Sequence, residues 1–273
     1  MKYIFIDIDG TLFSNEIQGI PESSKTAIKK AKEAGNKIFL CTGRSLAEAS
    51  KYLNLKIDGF VLSSGAVVYC DGKNIFNSVI KRKKLEYLLD IFRQMNVGYC
   101  FAGKAGGYCN EEGLKYAYKY LTKGADNYNL ETVMDEGFFG ISYWDRRDLV
   151  SKISVYSENM EKIDALEKYI SDDFSYNLVF SDVENNIYIN EITAANINKS
   201  YGINKVLEYY RASFKDSIAI GDSSNDIEML QDAGVGIAMG NAQVEVKDIA
   251  DYITTDILDD GLYNAFEKFG LLE

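Results

Sequence analysis

Asp7 and Asp9 flank Ile8 directly after the apolar run Tyr3-Ile4-Phe5-Ile6. Residues two apart on an extended chain point to the same side, so the pair presents two carboxylates together. Such a pair can hold a hard cation through its oxygens. It can also divide into a nucleophile and a proton shuttle, or do no more than end a strand and cap the next turn. Thr42-Gly43-Arg44 follows a second apolar run at 37–41. A hydroxyl and backbone amides at a helix start bind an anion, or simply cap the helix. Gly221-Asp222-Ser223-Ser224-Asn225-Asp226 closes a third run at 217–221. Two carboxylates four apart with an amide suit Mg2+ better than zinc, the alternative being a capped helix start. Lys199, taken alone, reads as a solvated surface lysine.

The elements that must carry these residues alternate. Residues 2–8 predict a buried strand. Pro21 opens a helical stretch to about Ala34, with Gly35 just past its end. Strands are predicted at 37–41 and near 58–63, with a helix from about Ser45 to Leu53 between them. Two β-rich runs around Asp71-Gly72 read as a hairpin. From Lys81 the rhythm changes, and 97–150 is rich in Gly and Tyr without a clear period. Short strands near 152–156, 176–180 and 187–192 with helices between them suggest an α+β insert. The β-α-β order returns near Lys199, with a helix over roughly 200–211 and further strands at 217–221, 235–239 and 251–254. A parallel sheet brings the carboxyl ends of its strands to one rim, where ligands of open α/β sheets bind. That rim would hold Mg2+, bind an anion and present a nucleophilic carboxylate, which is a phosphoryl-transfer site.

Composition removes the competitors. The chain has 273 residues, 47% hydrophobic and 26% charged, as expected of a folded protein of about two domains. It carries 41 acids against 30 bases, a net charge of -11, so a nonspecific nucleic-acid or anionic-membrane binder is not expected. Histidine is absent, which excludes a Ser-His-Asp triad, a Cys-His pair, phosphohistidine and histidine-ligated zinc. None of Cys41, Cys70, Cys100 and Cys109 forms a C-x-x-C pair, and all four are expected as free thiols in a reducing cytosol. No signal peptide or run of ~18 apolar residues is read, and a cytoplasmic location is expected. Neither a dinucleotide fingerprint nor a P-loop occurs.

Asp7-Ile8-Asp9-Gly10-Thr11, then Thr42-Gly43-Arg44, Lys199 and Gly221-Asp222-x-x-Asn225-Asp226 resemble the four motifs of the haloacid dehalogenase superfamily. Gly240-Asn241-Ala242 and Ala250-Asp251 extend the likeness to its Cof-type phosphatases. The resemblance is clear over about 1–80 and 190–273 and thin between. It implies Asp7 as a nucleophile forming an aspartyl-phosphate and Asp9 as the acid that protonates the leaving alcohol and then activates water. It implies Mg2+ on the Asp7 carboxylate, the Asp9 carbonyl and Asp222, with Asp226 supporting that shell. Thr42, Gly43 and Lys199 would hold the phosphoryl oxygens and Asn225 would help position them. Arg44 and Ser64 would face the substrate or a cap. Cof-type relatives commonly carry Asn-Gly-Ala where this chain has Ser64-Gly65-Ala66.

Nine residues separate Thr11 from Pro21, too few for a cap there. Between Thr42 and Lys199 lie 156 residues, and roughly 105 of them remain once the core elements are set aside. The expected architecture is an α/β chain. Residues 1–81 and 190–273 would form a Rossmann-like parallel-sheet core, and 82–189 an α+β cap that resembles the C2 type. The expected activity is a Mg2+-dependent phosphatase for small phosphorylated metabolites, sugar phosphates first. A phosphomannomutase-like mutase and a non-catalytic phosphometabolite-binding module are the alternatives.

Overall fold

In the computed structural model, which describes residues 1–103, 106–122 and 127–273, the most apolar runs become central strands. The first group is β1 (Tyr3–Ile6), β2 (Lys37–Cys41), β3 (Gly59–Leu62), β4 (Val67–Cys70) and β5 (Lys73–Asn77). There follow β6 (Gly98–Ala102), β7 (Gly107–Cys109), β8 (Phe138–Gly140), β9 (Ile153–Ser157), β10 (Phe174–Asp182) and β11 (Ile187–Ala194). The last are β12 (Ser217–Gly221), β13 (Gly236–Ala238) and β14 (Tyr252–Ile253). The helices are α1 (Glu22–Glu33), α2 (Leu46–Ala49), α3 (Arg82–Met95), α4 (Glu111–Leu121) and α5 (Leu130–Asp135). They continue as α6 (Met160–Glu167), α7 (Lys199–Tyr210), α8 (Ile227–Asp232), α9 (Val244–Ile249) and α10 (Gly261–Lys268).

The chain divides into two compact units. The first comprises Met1–Gly43, Tyr52–Asn77 and Asn198–Glu273. Its sheet has the order β14-β13-β12-β1-β2-β3-β4-β5. The pairs from β14 to β3 are parallel, and β3, β4 and β5 are antiparallel. All four residues of β1 and all five of β12 are buried, as expected of parallel strands covered on both faces. Phe5 and Phe39 stack across β1 and β2 with ring centroids 5.2 Å apart. Burying each ring stabilises by about 1.5–3 kcal/mol. The chain leaves β1 toward β2 on one side and returns through α7 to β12 on the other. The strand order therefore reverses at β1, and a crevice opens at such a point beyond the carboxyl ends of the strands.

The second unit comprises Arg44–Lys51 and Ser78–Ile197. Its sheet has the order β10-β11-β9-β6-β7-β8 and is antiparallel except for β7 with β8. Apolar residues of α3, including Leu85, Leu88 and Phe92, pack with Phe101, Ile153, Val155 and Ile192 of the sheet. Leu114 and Ala117 of α4 pack with Ile187 and Ile189 in a second cluster. Lys152 Nζ donates to Glu191 Oε1 in a buried pair. The boundary expected at 190 falls inside β11, whose pairing with β9 and β10 keeps it in this sheet.

The cysteines divide differently from expectation. Cys41 and Cys70 are free and buried, whereas Cys100 and Cys109 form a disulfide. The pair stands directly opposite across β6 and β7, a register that a stretch without clear period does not disclose. Among the described residues, no helix is long and apolar enough to cross a membrane.

Candidate active site

The crevice beyond β1 and β12 gathers most of the residues singled out from the sequence. Asp7 follows β1, and its amide donates to Ile220 O of β12 at 3.0 Å. The chain then turns tightly, with the Leu12 and Phe13 amides both donating to Ile8 O. Gly10 makes this turn possible. Its φ is +85°, and a Cβ there would lie 2.3 Å from Asp222 Oδ2, so any side chain would collide with the opposing carboxylate. Thr11 Oγ1 donates to Asp222 Oδ1 at 2.7 Å and joins the first loop to the last.

Lys199 is the first residue of α7. Asn198 caps that helix by accepting from the Tyr201 amide at 2.8 Å. The preceding turn is held close by Gly65 (φ +94°), where a Cβ would lie 1.8 Å from Asn198 O. The lysine is 2% exposed, the reverse of a solvated surface residue. Its Nζ donates to Asp7 Oδ1 at 2.6 Å, Asp226 Oδ1 at 2.5 Å and Asn225 Oδ1 at 3.0 Å. Asp226 is fully buried and accepts also from the Asp222 and Ser223 amides, both at 3.1 Å from Oδ2. It thus organises its own loop as well as facing the cluster.

One carboxylate oxygen from each of Asp7, Asp222 and Asp226 lies within 4.8 Å of the other two. Asp9 is not one of this group. Burial pushes the Asp7 carboxyl well above its ordinary value; Lys199 opposes this, while Asp226, Asp222 and Asp9 add to it. Burial and the Asp226 charge push Asp222 up to about 7, against the hydrogen bond from Thr11 and the charge of Lys199. Burial alone would lower Lys199, yet Asp226 and Asp7 outweigh it and hold the ammonium charged. Three carboxylates thus gather around one ammonium, a shortage of positive charge that adds to burial in raising Asp7 and Asp222. An all-oxygen donor set with that shortage fits a divalent metal ion.

Thr42 is buried at the end of β2, with its amide donating to Val61 O at 2.8 Å and its carbonyl accepting from the Ser64 amide at 3.1 Å. Gly43 and Arg44 follow it, half-buried. Ser64 lies in a turn in which Ser63, Ser64 and Gly65 have φ of 50°, 55° and +94°. Cys41 adjoins Thr42, and burial pushes its thiol up despite the nearby Lys199. Sequence reasoning did not assign the Thr11 bond or the placement of Asn241, whose Nδ2 donates to Gly10 O at 2.8 Å. Both are side-chain contacts across more than two hundred residues. The only signal was membership in the motifs.

The family model for haloacid dehalogenase-like hydrolases matches residues 4–266. This chain belongs to that family. Phosphatase YwpJ of Bacillus subtilis (strain 168) is 28% identical to it over 275 residues, covering 93% of this chain and 94% of its own. The 5-amino-6-(5-phospho-D-ribitylamino)uracil phosphatase YcsE of the same organism is also 28% identical, over 277 residues, covering 99% and 96%. Among solved structures, the subclass IIB sugar phosphatase BT4131 of the haloacid dehalogenase superfamily superposes with a TM-score of 0.78. It is 26% identical, and the match covers 99% of this chain and 100% of that one. The family's α/β fold with a parallel sheet is thus the fold of this hydrolase.

Proposed function

We propose that this hydrolase is a Mg2+-dependent phosphomonoesterase for small phosphorylated metabolites, with sugar phosphates the first class to test. The observation that carries the reading is the buried ammonium of Lys199 between Asp7 and Asp226, at 2.6 and 2.5 Å, beside Asp222. The names of YwpJ, YcsE and BT4131 support it as phosphatases. The choice of sugar phosphates rests on BT4131 alone.

Lys199 engages Asp7 Oδ1, and Oδ2 is the oxygen assigned to attack. In the first step it forms a bond to phosphorus while the bond from phosphorus to the ester oxygen breaks. Asp9 gives its proton to the departing alkoxide, leaving an aspartyl-phosphate on Asp7. In the second step Asp9 takes a proton from water, the water oxygen bonds to phosphorus, and the acyl phosphate bond breaks to restore the Asp7 carboxylate. The Thr42 hydroxyl, the Gly43 amide and the Lys199 ammonium hold the phosphoryl oxygens, and Asn225, which accepts from that ammonium, helps to position them. Asp7, the Asp9 carbonyl and Asp222, supported by Asp226, would hold Mg2+. When bound, the ion neutralises charge on the phosphoryl group and the acids around it. The α+β unit is read as a C2-type cap, and Arg44 and Ser64 as candidates for substrate contact.

Phosphate release from a panel of phosphorylated metabolites, with Mg2+ and with EDTA, tests this beside Asp7→Asn. Release that needs Mg2+ and is lost in a folded Asp7→Asn protein is the expected result. Turnover retained by that variant would refute the mechanism.

A further inference from the structure

Residues 239–243, between β13 and α9, touch both carboxylate-bearing loops without entering any step above. Asn241 Nδ2 donates to Gly10 O at 2.8 Å, and Asn241 Oδ1 accepts from the Ile257 amide at 3.0 Å. One side-chain amide therefore ties the turn after Asp9 to the loop before α10. Two residues on, the Gln243 amide donates to Asp222 O at 3.0 Å, and Gln243 Oε1 accepts from the Ser224 amide at 3.0 Å. The Met239 amide donates to Gly221 O at 3.0 Å. The same five residues thus grip the first loop at Gly10 and the last loop at Gly221, Asp222 and Ser224.

The two loops also meet each other. Thr11 Oγ1 donates to Asp222 Oδ1, and the space at Gly10 is too small for a Cβ beside that carboxylate. Asn241 holds the carbonyl of the same Gly10. Without that bond the turn is tethered to the last loop by Thr11 but loses its tie to residues 241 and 257. Asn241 is exposed, so water can replace the amide at Gly10 O when the side chain is removed. A hydrogen bond exchanged for one to water contributes only about 1 kcal/mol to stability. What the bond supplies is position.

We propose that Asn241 is a positioning residue for the metal-binding carboxylates, setting the distance between the Asp7–Asp9 turn and Asp222. The proposal rests on the reading of Asp7, Asp222 and Asp226 as a metal site. Partners hydrogen-bonded to metal ligands change metal affinity by about 10–100-fold when removed, and Asn241 acts one step further out, through the Gly10 carbonyl, so the low end of that range is expected. The test titrates Mg2+ alone into metal-free wild type, Asn241→Ala and Asn241→Ser by calorimetry, with thermal melts of the metal-free proteins. The serine variant shortens the donor out of reach of Gly10 O but keeps a polar side chain. The expected result is a Kd for Mg2+ about tenfold weaker in both variants, with melts close to wild type. A wild-type Kd in either folded variant overturns the proposal and leaves the metal site standing. Weaker binding accompanied in both variants by a large loss of metal-free melting temperature makes Asn241 merely structural and also overturns it. A wild type that binds no Mg2+ overturns the reading of the site, and the proposal with it.

Discussion

Lys199 Nζ donates to Asp7 Oδ1 at 2.6 Å across 192 positions of sequence. Both groups are buried, so each answers for the other's charge. Replacing Lys199 by Met leaves Asp7 and Asp226 facing each other without a cation. Removing one partner of a buried pair destabilises by about 3–5 kcal/mol. Lys199→Met is expected to melt far below wild type when metal-free, to recover part of that loss in excess Mg2+, and to release no phosphate. Lys199→Arg is expected to fold better than the Met variant and still to lose activity, because a planar guanidinium cannot reproduce three bonds from one nitrogen. Melting curves with and without Mg2+ and a phosphate-release assay check both variants.

The three carboxylates within 4.8 Å of one another outnumber their ammonium. A bound divalent ion supplies the missing charge, and ligand binding to the folded state alone stabilises by about 2.7 kcal/mol at a hundredfold excess over Kd. Mg2+ is therefore expected to raise the wild-type melting temperature by several degrees. Asp222→Asn removes one of the crowded charges and keeps an oxygen that can accept from Thr11. The metal-free variant is expected to melt at or above metal-free wild type, and its response to Mg2+ to shrink or vanish. A calorimetric scan of the two proteins across a Mg2+ series reads both signs.

Much of this site is legible in the sequence. Asp7, Asp9, Thr42, Asp222 and Asp226 stand at the ends of apolar runs, and strand ends of a parallel sheet converge by geometry alone. Lys199 was not legible as a buried residue, because its exposure is decided by Asp7 and Asp226 and by nothing near it in the chain. Thr11 and Asn241 stood in the motifs, but their bonds did not show, since a side-chain bond across two hundred residues leaves no periodic trace. The second unit was the least legible part. Its strands β6, β7 and β8 are short, lie in a stretch rich in Gly and Tyr, and pair in an order that runs β9-β6-β7-β8. Cys100 and Cys109 meet only because of that pairing, so the expectation of free thiols failed there and held at Cys41 and Cys70.

Away from the site, Asp58 sets a pH response. Burial by itself would raise its carboxyl, but bonds from Lys32 Nζ at 2.7 Å, the Ile38 amide at 2.9 Å and Lys37 Nζ at 3.2 Å outweigh burial and hold it below its ordinary value. A carboxyl lowered by folding contributes stability that is present above its unfolded pKa of about 3.9 and is lost as pH falls through the folded value. Asp58→Asn is expected to cost about 1–2 kcal/mol at pH 7, and the gap to wild type to close below about pH 4. Denaturant unfolding of the pair at a series of pH values measures the gap. A gap that stays constant to pH 2 would contradict the role given to those three bonds.

The turn at Ser63, Ser64 and Gly65 holds two serines in left-handed backbone, with φ of 50° and 55°. That region costs an ordinary side chain roughly 1–2 kcal/mol, and Asn enters it more readily than most residues. The resemblance to Cof-type phosphatases implies that Asn is common at the place of Ser64. Its amide donates to Thr42 O at 3.1 Å, so the turn also fixes the loop that bears Thr42. Ser64→Asn is expected to raise stability by about 0.5–1 kcal/mol by easing the backbone. Ser64→Ala keeps the backbone cost and removes the hydroxyl, and is expected to lower stability by about 0.5–1.5 kcal/mol. The opposite signs separate backbone strain from a simple response to changing a buried side chain. A loss in both variants, read by thermal melts under one buffer, would mean that close packing around Ser64, which is 9% exposed, outweighs the strain.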